Sequence, residues 1–318
     1  MAKVLVLGGS GFVGRALCEK LVDRLGGADS RILVPSRRPA GVKQLWTLPT
    51  VEVVRADVHD DVALARLVDG CDAVVNLVAI LHGSEADFDR VHVQLPRRLA
   101  QACATAHVNR VVHVSALRAD AQAPSRYLRS KAAGEAALAS KALDLTILRP
   151  SVIFGEGDRF LNLFAGLQTV FPVMPLAGAD AKFQPVWVED VAAAIVRCLD
   201  DRTTIAQVFE CCGPEVYTLK QLVRLAGRCS GHSRPVIELP SALGRLQAGL
   251  MEWLPGGPLM SRDNLDSMRI DSVAGGELPG LSRLGIQAAA VEAIAPLYLG
   301  HEQGPGRLDA WRAASHRR

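Results

Sequence analysis

The chain lacks three features that would place it in a specialised class of protein. No apolar run approaches the roughly 20 residues that cross a bilayer. Met1-Ala2-Lys3 leads directly into the strand-like VLVL with no cleavage site behind it, so we expect no signal peptide. The net charge is only +3 and the basic residues are spread along the chain. We therefore expect a soluble protein that binds no nucleic acid.

Cysteine and histidine are present, but not in metal-binding or disulfide-rich patterns. The seven cysteines include no C-x-x-C pair and no histidine at zinc-site spacing. The eight histidines include no H-x-x-x-H and no triad spacing. We therefore predict no metal site. An odd number of scattered thiols is typical of a reducing cytosol, which predicts a cytoplasmic protein.

Short apolar runs alternate with helical patterns through the first half of the 318 residues. The predicted strands of this half lie at 3–8, 31–35, 51–54, 73–78, 110–115 and 145–150, and the predicted helices at 12–25, 60–68, 85–106 and 127–141. Nearly continuous Val, Leu and Ile runs separated by helices indicate a parallel sheet covered on both faces. The sequence therefore predicts an α/β fold with a Rossmann-type doubly wound parallel sheet.

The pattern changes after Pro150, where proline and glycine become frequent and strands become fewer. We predict strands at 183–188 and 207–213, and helices from Glu189 to about Leu199 and over 218–228. This half indicates a smaller C-terminal substrate lobe. The predicted boundaries are 1–155 for the dinucleotide-binding domain, with about 183–205 returning to it, 156–300 for the lobe, and 301–318 for a loose basic tail.

A glycine-rich turn, GGSGFVG, follows the first predicted strand and precedes the first predicted helix. It satisfies both G-x-G-x-x-G and G-x-x-G-x-x-G. Glycines let the backbone approach a pyrophosphate closely, and the helix N-terminus attracts the anion. Because the motif has the strand and helix context that it requires, we predict a dinucleotide site here. The predicted cofactor-binding residues of this turn are Gly8, Gly9, Ser10, Gly11, Phe12, Val13 and Gly14.

The residues after the second predicted strand bear on which dinucleotide binds. NAD sites usually place Asp or Glu there for the ribose hydroxyls, but this chain has Arg37 and Arg38. A guanidinium pairs well with a 2′-phosphate, whereas a carboxylate repels it. We therefore predict NADP(H) bound by Arg37 and Arg38, with NAD(H) as the less favoured cofactor. The alternative for the arginines is a solvated loop.

Four further candidate cofactor-binding residues lie at the ends of predicted strands. Asp57 and Val58 follow the third strand, Asn76 lies near the end of the fourth, and Pro150 ends the sixth. For Asp57 the alternative is a cap on the following helix, and for Asn76 it is a cap on its own loop.

Tyr127 and Lys131 stand four residues apart on one face of a predicted helix that follows the fifth strand. A phenol with a pKa near 10 is a poor base at neutral pH. A nearby ammonium stabilises the phenolate and lowers that pKa, and the same lysine can bind a nicotinamide ribose. We predict Tyr127 and Lys131 as a catalytic pair, with Ser115 at the end of the fifth strand as the group that polarises a carbonyl.

Together these motifs resemble the short-chain dehydrogenases/reductases. LRPSVIFG at 148–155 and QPVWVEDVA at 184–192 resemble the extended, epimerase/dehydratase-like branch of that family. A narrower resemblance is to the nucleotide-binding accessory subunits of mitochondrial respiratory complex I and their bacterial relatives. It rests on QPVWVEDV and on SRYLRSKAAGE, GDRFLNLFA, SRDNLDSM and LPGLSRLGIQA, which begin at 125, 157, 261 and 278.

The resemblance implies a Rossmann-type domain that holds NADPH, with a small lobe over the nicotinamide end. It places Gly8, Gly11 and Gly14 at the pyrophosphate and Arg37 at the 2′-phosphate, and it places Tyr127 and Lys131 at the nicotinamide ribose. It also implies atypical membership, because the mitochondrial relative is regarded as a structural subunit with a tightly held nucleotide close to the quinone end of its complex.

One position departs from the family pattern. Extended-family enzymes usually carry a carbonyl-polarising Ser or Thr two residues beyond Ser115, where this chain has Leu117. Ser115 and Ser125 are the candidate replacements, and the third reading is that no hydroxyl serves. Without such a donor, the developing oxyanion loses a hydrogen bond worth about 10²–10³ in rate.

An apolar face at helical spacing lies within 240–260, formed by Leu243, Leu246, Leu250, Trp253 and Leu254. We predict that this helix packs on its own domain. The alternative is contact with a membrane surface or a respiratory complex, which would place the protein peripherally at the inner face of the cytoplasmic membrane. The resemblance to a membrane-complex subunit favours this alternative more than periodicity alone does.

Two functions stay open from the sequence. The first is an NADP(H)-dependent oxidoreductase or epimerase-like enzyme that acts on an unidentified carbonyl or hydroxyl carbon, which the Tyr127–Lys131 pair favours. The second is a non-catalytic structural, assembly or redox-sensing protein that holds NADPH, which Leu117 and the subunit-like motifs favour. The resemblance alone implies a third, quinone-linked role.

Overall fold

The computed structural model describes residues 3–25, 30–252 and 260–300. The strands, in chain order, are β1 (Lys3–Leu7), β2 (Arg31–Ser36), β3 (Val51–Arg55), β4 (Ala73–Asn76), β5 (Arg110–Val114), β6 (Asp144–Pro150), β7 (Ile153–Phe154), β8 (Met174–Leu176), β9 (Lys182–Phe183), β10 (Val186–Trp187), β11 (Val208–Cys211), β12 (Tyr217–Thr218) and β13 (Val236–Glu238). The predicted tail at 301–318, and Trp253 and Leu254 of the predicted apolar face, lie outside the described residues.

The helices, in chain order, are α1 (Phe12–Leu25), α2 (Asp61–Val68), α3 (Glu85–Phe88), α4 (Leu95–Thr105), α5 (Arg126–Ala139), α6 (Leu161–Val170), α7 (Val188–Asp200), α8 (Leu219–Cys229), α9 (Ser241–Met251), α10 (Arg262–Ser267) and α11 (Val291–Leu299). A π-helical turn, Asp89–Gln94, joins α3 to α4. Within the described residues, no helix has the length and apolarity needed to cross a membrane.

The main sheet has the strand order β11-β6-β5-β4-β1-β2-β3, and every neighbouring pair is parallel. The predicted doubly wound α/β fold is therefore confirmed. The central strands are buried, β4 at every residue and β1 from Val4 onward, because helices cover both faces of a parallel sheet. The strand order reverses between β1 and β4. In such sheets the crevice outside the carboxyl ends of the strands at this reversal is where ligands bind.

The chain divides into two compact units. The first comprises Met1–Pro150, Val188–Cys211 and Ala274–Gln287, and the second comprises Ser151–Trp187, Cys212–Val273 and Ala288–Arg318. The sequence places residues 274–287 in the C-terminal lobe, whereas the structure groups them with the first unit. The reason is a backbone contact at the sheet edge, where the Glu210 N–H donates to the Pro279 oxygen at 2.9 Å.

In the first unit, α1 packs on α7, and α4 packs on both α2 and α5. Two ion pairs accompany the α1–α7 contact, Lys20–Glu189 at 2.9 Å and Arg24–Asp200. The core contains buried leucines from strands and helices, among them Leu5, Leu95, Leu99 and Leu138. This packing fixes the helices that carry the candidate site.

The predicted helical stretch over 85–106 is helical from Glu85 to Thr105, but a π-helical turn interrupts its α-helical geometry. Pro96 has no N–H, so the His92 carbonyl cannot accept the usual bond from four residues ahead. That oxygen lies instead against Gly134 of α5, where a Cβ would be only 2.1 Å away. The glycine therefore lets α5 approach the turn closely, and π-helical turns are frequent at functional sites.

The second unit is built from helices and short ladders. Helices α6, α8 and α11 pack on one another around a core that includes Phe154, Phe164 and Leu222. Strand β7 pairs with β10, and β8 pairs with β13, both in parallel. Strand β9 pairs with β12 in the antiparallel direction. Asp158 is buried, with its carboxylate accepting bonds from three backbone N–H groups and from the Tyr298 hydroxyl.

Helix α9 presents its leucines to solvent, so the prediction that this apolar face packs on its own domain is wrong. Leu243, Leu246 and Leu250 are 53%, 60% and 66% exposed. The buried residues of the helix are Gly244 and Ala248. A Cβ on Gly244 would lie 2.6 Å from the Ala177 side chain, so the helix packs through its small residues instead of its leucines.

Candidate functional site

The glycine turn lies between β1 and α1, at the reversal of strand order. Gly8 has φ +82°, a conformation that side chains rarely adopt. A Cβ on Gly14 would lie 2.5 Å from the backbone oxygens of Gly8 and Gly9. Gly11 is exposed and donates its N–H to the Gly8 oxygen at 2.9 Å. The turn therefore keeps its backbone free of side chains where α1 begins, which is what a bound pyrophosphate requires.

The side chains around the turn are only partly covered. Ser10, Phe12 and Val13 are half-buried, and Gly9 is buried. Since the first N–H groups of a helix have no partner within it, the start of α1 offers donors to an anion. The predicted loop residues thus occupy one continuous turn with the geometry of a phosphate cradle.

A cavity of about 430 Å³ lies beside this turn. It is lined by Ser10, Arg15, Ala40, Gly41, Val42, Lys43 and Gln44. Arg15 donates from Nη1 to Gln44 Oε1 at 2.7 Å, which joins the start of α1 to the segment after β2. Two of the lining residues, Arg15 and Lys43, are cations that the sequence analysis missed. The available signal was that Arg15 follows Gly14 directly.

Arg37 and Arg38 are exposed in the segment after β2. The Arg38 backbone N–H donates to Ser36 Oγ at 3.2 Å, which turns the chain at the strand end. The charge of Arg37 contributes to lowering the pKa of His59, where burial is the main cause, so this guanidinium lies near the β3–α2 connection. Both arginines are therefore available to an anionic ligand.

Asp57 and Val58 follow β3 and have different surroundings. The exposed Asp57 accepts a bond from the His59 N–H at 3.0 Å through Oδ1. The cap of α2 is Asp60, which accepts from the Ala63 N–H at 2.7 Å. Val58 packs against the main core. Asp57 thus shapes the turn before the helix and does not cap it, which corrects that alternative.

Asn76 is buried at the end of β4 and is held by two hydrogen bonds. Its Oδ1 accepts from the Val78 N–H at 3.2 Å, which fixes the amide orientation. Its Nδ2 therefore donates to His113 Nδ1, also at 3.2 Å. Burial, together with Lys131 and His92, lowers the pKa of His113 well below its ordinary value. The amide thus caps its own loop, the alternative that the sequence left open.

Helix α5 carries Tyr127 and Lys131, and its start is fixed by Ser125. The Ser125 hydroxyl is fully buried and accepts from the Leu128 N–H at 3.2 Å, as an N-cap does. Tyr127 is half-buried, with its ring edge-on to Phe88 and His92 at centroid distances of 6.2 and 5.6 Å. Burial raises the pKa of its phenol to about 12. The phenol is therefore protonated at neutral pH and available as an acid.

Lys131 is 2% exposed and donates from Nζ to the Val114 carbonyl oxygen at 2.9 Å. Burial lowers the pKa of the ammonium to about 8, and the charge of Glu135 opposes that shift. The lysine is thus anchored at the carboxyl end of β5 and carries its charge at neutral pH.

Ser115 follows Val114 directly and is 5% exposed. Its N–H donates to the Leu148 oxygen at 2.7 Å. Its hydroxyl oxygen is buried, and no group among the described residues is within hydrogen-bond distance of it. A buried hydroxyl without a partner costs about 1–3 kcal/mol. The Ser115 hydroxyl is therefore the one member of this cluster that is arranged as if for a ligand.

The family position, Leu117, and the other candidate, Ser125, are both engaged elsewhere. Leu117 is 3% exposed, and its N–H donates to the oxygen of the buried Pro150 at 2.8 Å. Ser125 is committed to capping α5. Of the hydroxyls that the sequence offered as a carbonyl-polarising group, the structure leaves Ser115 free.

His92 is a residue that the sequence analysis missed. Its Nε2 accepts from the Ile80 N–H at 3.1 Å, so its proton lies on Nδ1 and is donated to Ser130 Oγ at 2.8 Å. Ser130 in turn donates to the Tyr127 carbonyl at 2.7 Å. Burial lowers the pKa of His92 to about 3, with Lys131 adding to the shift. A neutral histidine therefore ties the loop after β4 to the first turn of α5.

A parallel sheet of this order, with a glycine turn at the strand reversal and a Tyr-x-x-x-Lys helix after β5, defines a Rossmann-type NAD(P)-binding protein with an oxidoreductase-like fold. Residues 8–202 match a family model described as NAD(P)H-binding. The chain belongs to this NAD(P)H-binding family and, within it, to the relatives of the subunit-9 proteins of mitochondrial NADH dehydrogenase.

Three curated proteins illustrate that relationship. The chain is 32% identical over 294 residues to NADH dehydrogenase [ubiquinone] 1 alpha subcomplex subunit 9 of Mus musculus, covering 90% of this chain and 77% of that protein. It is 28% identical to the NADH-ubiquinone oxidoreductase 40 kDa subunit of Neurospora crassa, covering 92% and 78%. It is also 32% identical over 252 residues to a ceramide reductase of Caulobacter vibrioides, covering 78% and 76%. The predicted resemblance is confirmed.

Solved structures share the fold at lower identity. An NADPH-dependent quinone oxidoreductase of Escherichia coli, complexed with NADPH, aligns with a TM-score of 0.73 at 22% identity, covering 91% of this chain and 97% of that chain. A UDP-glucuronic acid 4-epimerase of Bacillus cereus, with UDP-glucuronic acid and NAD, aligns with a TM-score of 0.70 at 17% identity, covering 93% and 98%. At these identities the likeness establishes the fold.

Proposed function

We propose that the protein is an NADP(H)-dependent reductase that acts on an apolar carbonyl compound or a quinone. The observation that carries this proposal is the buried, unpartnered hydroxyl of Ser115. Ser115 directly follows Val114, whose carbonyl oxygen binds Lys131. Lys131 is in turn four residues from Tyr127 on α5. A substrate carbonyl bound beside Lys131 and Tyr127 would give this hydroxyl its missing partner.

The residues around the glycine turn and at the start of α5 fit such a nucleotide. The glycine turn would hold the pyrophosphate, and Gly14 is needed for its shape, because a Cβ there would displace the backbone of Gly8 and Gly9. Lys131 would bind the nicotinamide ribose. Arg37 and Arg38, joined by Arg15 and Lys43 of the adjoining cavity, would bind the 2′-phosphate. The absence of an acidic residue directly after β2 supports NADP(H) over NAD(H).

A bound reduced nicotinamide would supply a hydride to the carbonyl carbon. The carbonyl oxygen then needs a proton and a hydrogen-bond donor. Tyr127, protonated at neutral pH, gives the proton, and water restores it. The Lys131 ammonium stabilises the resulting phenolate, and the Ser115 hydroxyl donates to the oxygen on which negative charge develops.

The substrate class follows from two similarities. The ceramide reductase is named for a lipid, and the Escherichia coli neighbour is named for quinones. Both names describe molecules that are largely apolar. We infer an apolar carbonyl compound, either a lipid ketone or a quinone, and not a sugar nucleotide.

A second candidate function is a nucleotide-holding subunit. It is favoured by the relatives named as NADH dehydrogenase subunits, which match over about nine-tenths of this chain. The exposed leucines of α9 would supply the contact with a respiratory complex or a membrane surface. We propose a cytoplasmic protein that reaches the inner face of the cytoplasmic membrane through residues 240–260. A ligand that binds only the folded state stabilises it by about 2.7 kcal/mol at a hundredfold excess over its Kd.

The experiment is a substrate panel in single turnover. Purified protein is loaded with NADPH or NADH, and nicotinamide absorbance is followed after adding quinones, lipid ketones, small aldehydes or nucleotide-sugar ketones. We expect rapid oxidation of NADPH by the apolar compounds and slower oxidation of NADH. NADPH that stays bound and reduced through the whole panel would refute the reductase and favour the subunit.

A further inference from the structure

Lys131 has a carboxylate one helical turn away and does not pair with it. Glu135 lies four residues along α5, a spacing at which lysine and glutamate normally form an ion pair. The Lys131 Nζ bonds instead to the Val114 carbonyl oxygen at 2.9 Å. Something must therefore hold the Glu135 carboxylate away from the lysine.

Arg149, near the end of β6, binds Glu135 with two parallel bonds. Its Nε donates to Oε1 at 2.9 Å and its Nη2 donates to Oε2 at 2.5 Å. Both carboxylate oxygens are thus occupied in the planar arrangement that makes arginine–carboxylate pairs strong. The Glu135 side chain is only 9% exposed and that of Arg149 is 23% exposed, so solvent screens the pair weakly.

Arg149 is flanked by a second carboxylate. Glu210 lies directly opposite it on β11, is buried, and accepts the Gly275 N–H at 2.8 Å. The pKa of Arg149 is raised by Glu135 first, with Glu210 contributing. Glu210 thus adds negative charge beside the guanidinium, while the hydrogen bonds of Arg149 go to Glu135.

The remaining groups around Lys131 are neutral or engaged elsewhere. His92 and His113 are buried, and burial lowers the pKa of both, so they are neutral at pH 7. The charged residues of the helices packed on α5 point to other partners, Asp87 of α3 to Ser84 and Arg98 of α4 to Asp61. Of the charged groups near it, Glu135 is the one that acts on the lysine.

We propose that Arg149 is a positioning residue for Lys131. By occupying both oxygens of Glu135, it keeps that carboxylate from capturing the lysine. The ammonium is left on the Val114 carbonyl, where it can also bind a nucleotide ribose and serve Tyr127. This inference rests on the proposed function for its purpose, but the arrangement itself does not depend on turnover.

Substitutions of Arg149 and of Glu135 should then shift the pKa of Lys131 in opposite directions. In Arg149→Met, the freed carboxylate would pair with Lys131, so the lysine should keep its charge to a higher pH. Glu135→Gln removes the negative charge that stabilises the Lys131 ammonium, while Arg149 stays. Lys131 should therefore lose its proton at a lower pH. Loss of the Arg149 charge in Arg149→Met raises the titration midpoint of Lys131 by itself, so the discriminating variant is Arg149→Lys, which keeps the charge: a bridge that only held the fold together would leave its midpoint unchanged.

The measurement is an NMR titration of lysine-labelled, nucleotide-free protein. The chain has seven lysines, and Lys131→Arg assigns the signal. We expect a titration midpoint raised by about one pH unit in Arg149→Met and lowered by about one in Glu135→Gln. Because Arg149 acts through Glu135, the double variant that combines Glu135→Gln with Arg149→Lys should titrate like Glu135→Gln alone. Arg98→Met, which breaks a different ion pair beside α5, should leave the midpoint unchanged.

Arg149→Met leaves two buried carboxylates uncompensated and is therefore the variant most prone to misfold. Arg149→Lys keeps the charge but can bind one oxygen only, and it should raise the midpoint by a smaller amount. If Glu135→Gln and Arg149→Lys move the midpoint in the same direction, or Arg149→Lys leaves it in place, the proposal is wrong. Opposite shifts in a protein that reduces no carbonyl would uphold the positioning role and reject the reductase.

Discussion

The two ends of the proposed nucleotide site are built from different atoms. At the phosphate end the backbone would bind the pyrophosphate, since the glycine turn offers N–H groups and space. At the nicotinamide end, side chains from several elements meet, with Ser115 after β5, Tyr127 and Lys131 on α5, and His92 in the π-helical turn. The phosphate end depends on the absence of side chains at its glycines, whereas the nicotinamide end depends on the side chains that it has.

This difference teaches where each end is vulnerable. A change at the phosphate end should act on binding, because it alters the space that the pyrophosphate enters. A change at the nicotinamide end should act on chemistry, because in the proposed reaction its buried groups would meet the reacting atoms and the glycines would not. The four predictions that follow test this separation, from the largest expected effect to the smallest.

Tyr127→Phe should lower single-turnover reduction by about 10²–10⁴, because the proton donor is lost. The Kd for NADPH should stay within a factor of about two, since the ring and its contacts with Phe88 and His92 remain. Stopped-flow absorbance and fluorescence titration measure the two quantities. Tyr217→Phe, at another of the chain's three tyrosines, is the matched control and should leave reduction unchanged. An equal loss in both variants would remove Tyr127 from the mechanism.

Ser115→Ala should lower reduction by about 10²–10³, because the developing oxyanion loses its donor. Its free energy of unfolding should be unchanged or higher, since the lost hydroxyl has no partner. Ser125→Ala is the contrasting variant and should cost about 0.5–2 kcal/mol of stability, because it removes the N-cap of α5. Urea denaturation and turnover on both proteins separate the roles. Full activity in Ser115→Ala would leave this chain without a polarising hydroxyl.

Gly14→Ala should weaken NADPH binding by about 1–3 kcal/mol, roughly five- to 150-fold, because a Cβ would lie 2.5 Å from backbone atoms of the turn. Isothermal titration calorimetry measures the loss. Gly166→Ala in α6 is the control, since no described atom beyond its own helical turns lies within 4 Å of the added Cβ. That variant should gain up to about 1 kcal/mol of stability. Equal NADPH affinity in wild type and Gly14→Ala would contradict the cradle.

His92→Phe should make the protein less sensitive to acid. The pKa of His92 is about 3 in the folded state against an ordinary 6.5, so below pH 6.5 the unfolded chain binds a proton that the folded chain does not. Stability from this group is therefore complete above pH 6.5 and is lost as the pH falls towards 3, at about 1.4 kcal/mol per pH unit. Part of the decrease in unfolding free energy with falling pH should remain in His92→Phe, because the pKa of His113 is also lowered in the folded state. Urea denaturation at several pH values checks this, and parallel curves for the two proteins would exclude the role.

The sequence allowed the backbone-built end to be predicted more completely than the side-chain-built end. Glycine spacing reports directly on where a chain must avoid a Cβ, so GGSGFVG gave the turn without knowledge of its neighbours. The doubly wound sheet followed from its apolar runs for the same reason, since burial on both faces leaves a local pattern.

The missed features depend on contacts between residues far apart in the chain. Arg15 of α1 bonds to Gln44, which follows β2 in the chain. His92 bonds to Ile80 and Ser130 from the π-helical turn, and Pro96 and Gly134 shape that turn. The leucines of α9 were predicted on the buried face because periodicity marks an apolar stripe, but packing through Gly244 and Ala248 turned that stripe outward. No local pattern carries such information.

The most direct test of a working nicotinamide end is transfer of deuterium from NADPH deuterated at the transferring carbon. Protein, labelled NADPH and the apolar carbonyl compounds of the panel are mixed for one turnover, and the products are analysed by mass spectrometry. We predict deuterium on the former carbonyl carbon of a lipid ketone, with the rate falling sharply in Tyr127→Phe. On a hydroquinone the label ends on a hydroxyl oxygen and exchanges with water, so for a quinone we predict reduction that is slower with the deuterated NADPH than with unlabelled NADPH. Tightly bound NADPH that transfers no deuterium to a ketone and reduces no quinone would contradict the account and leave the protein as a holder of its nucleotide.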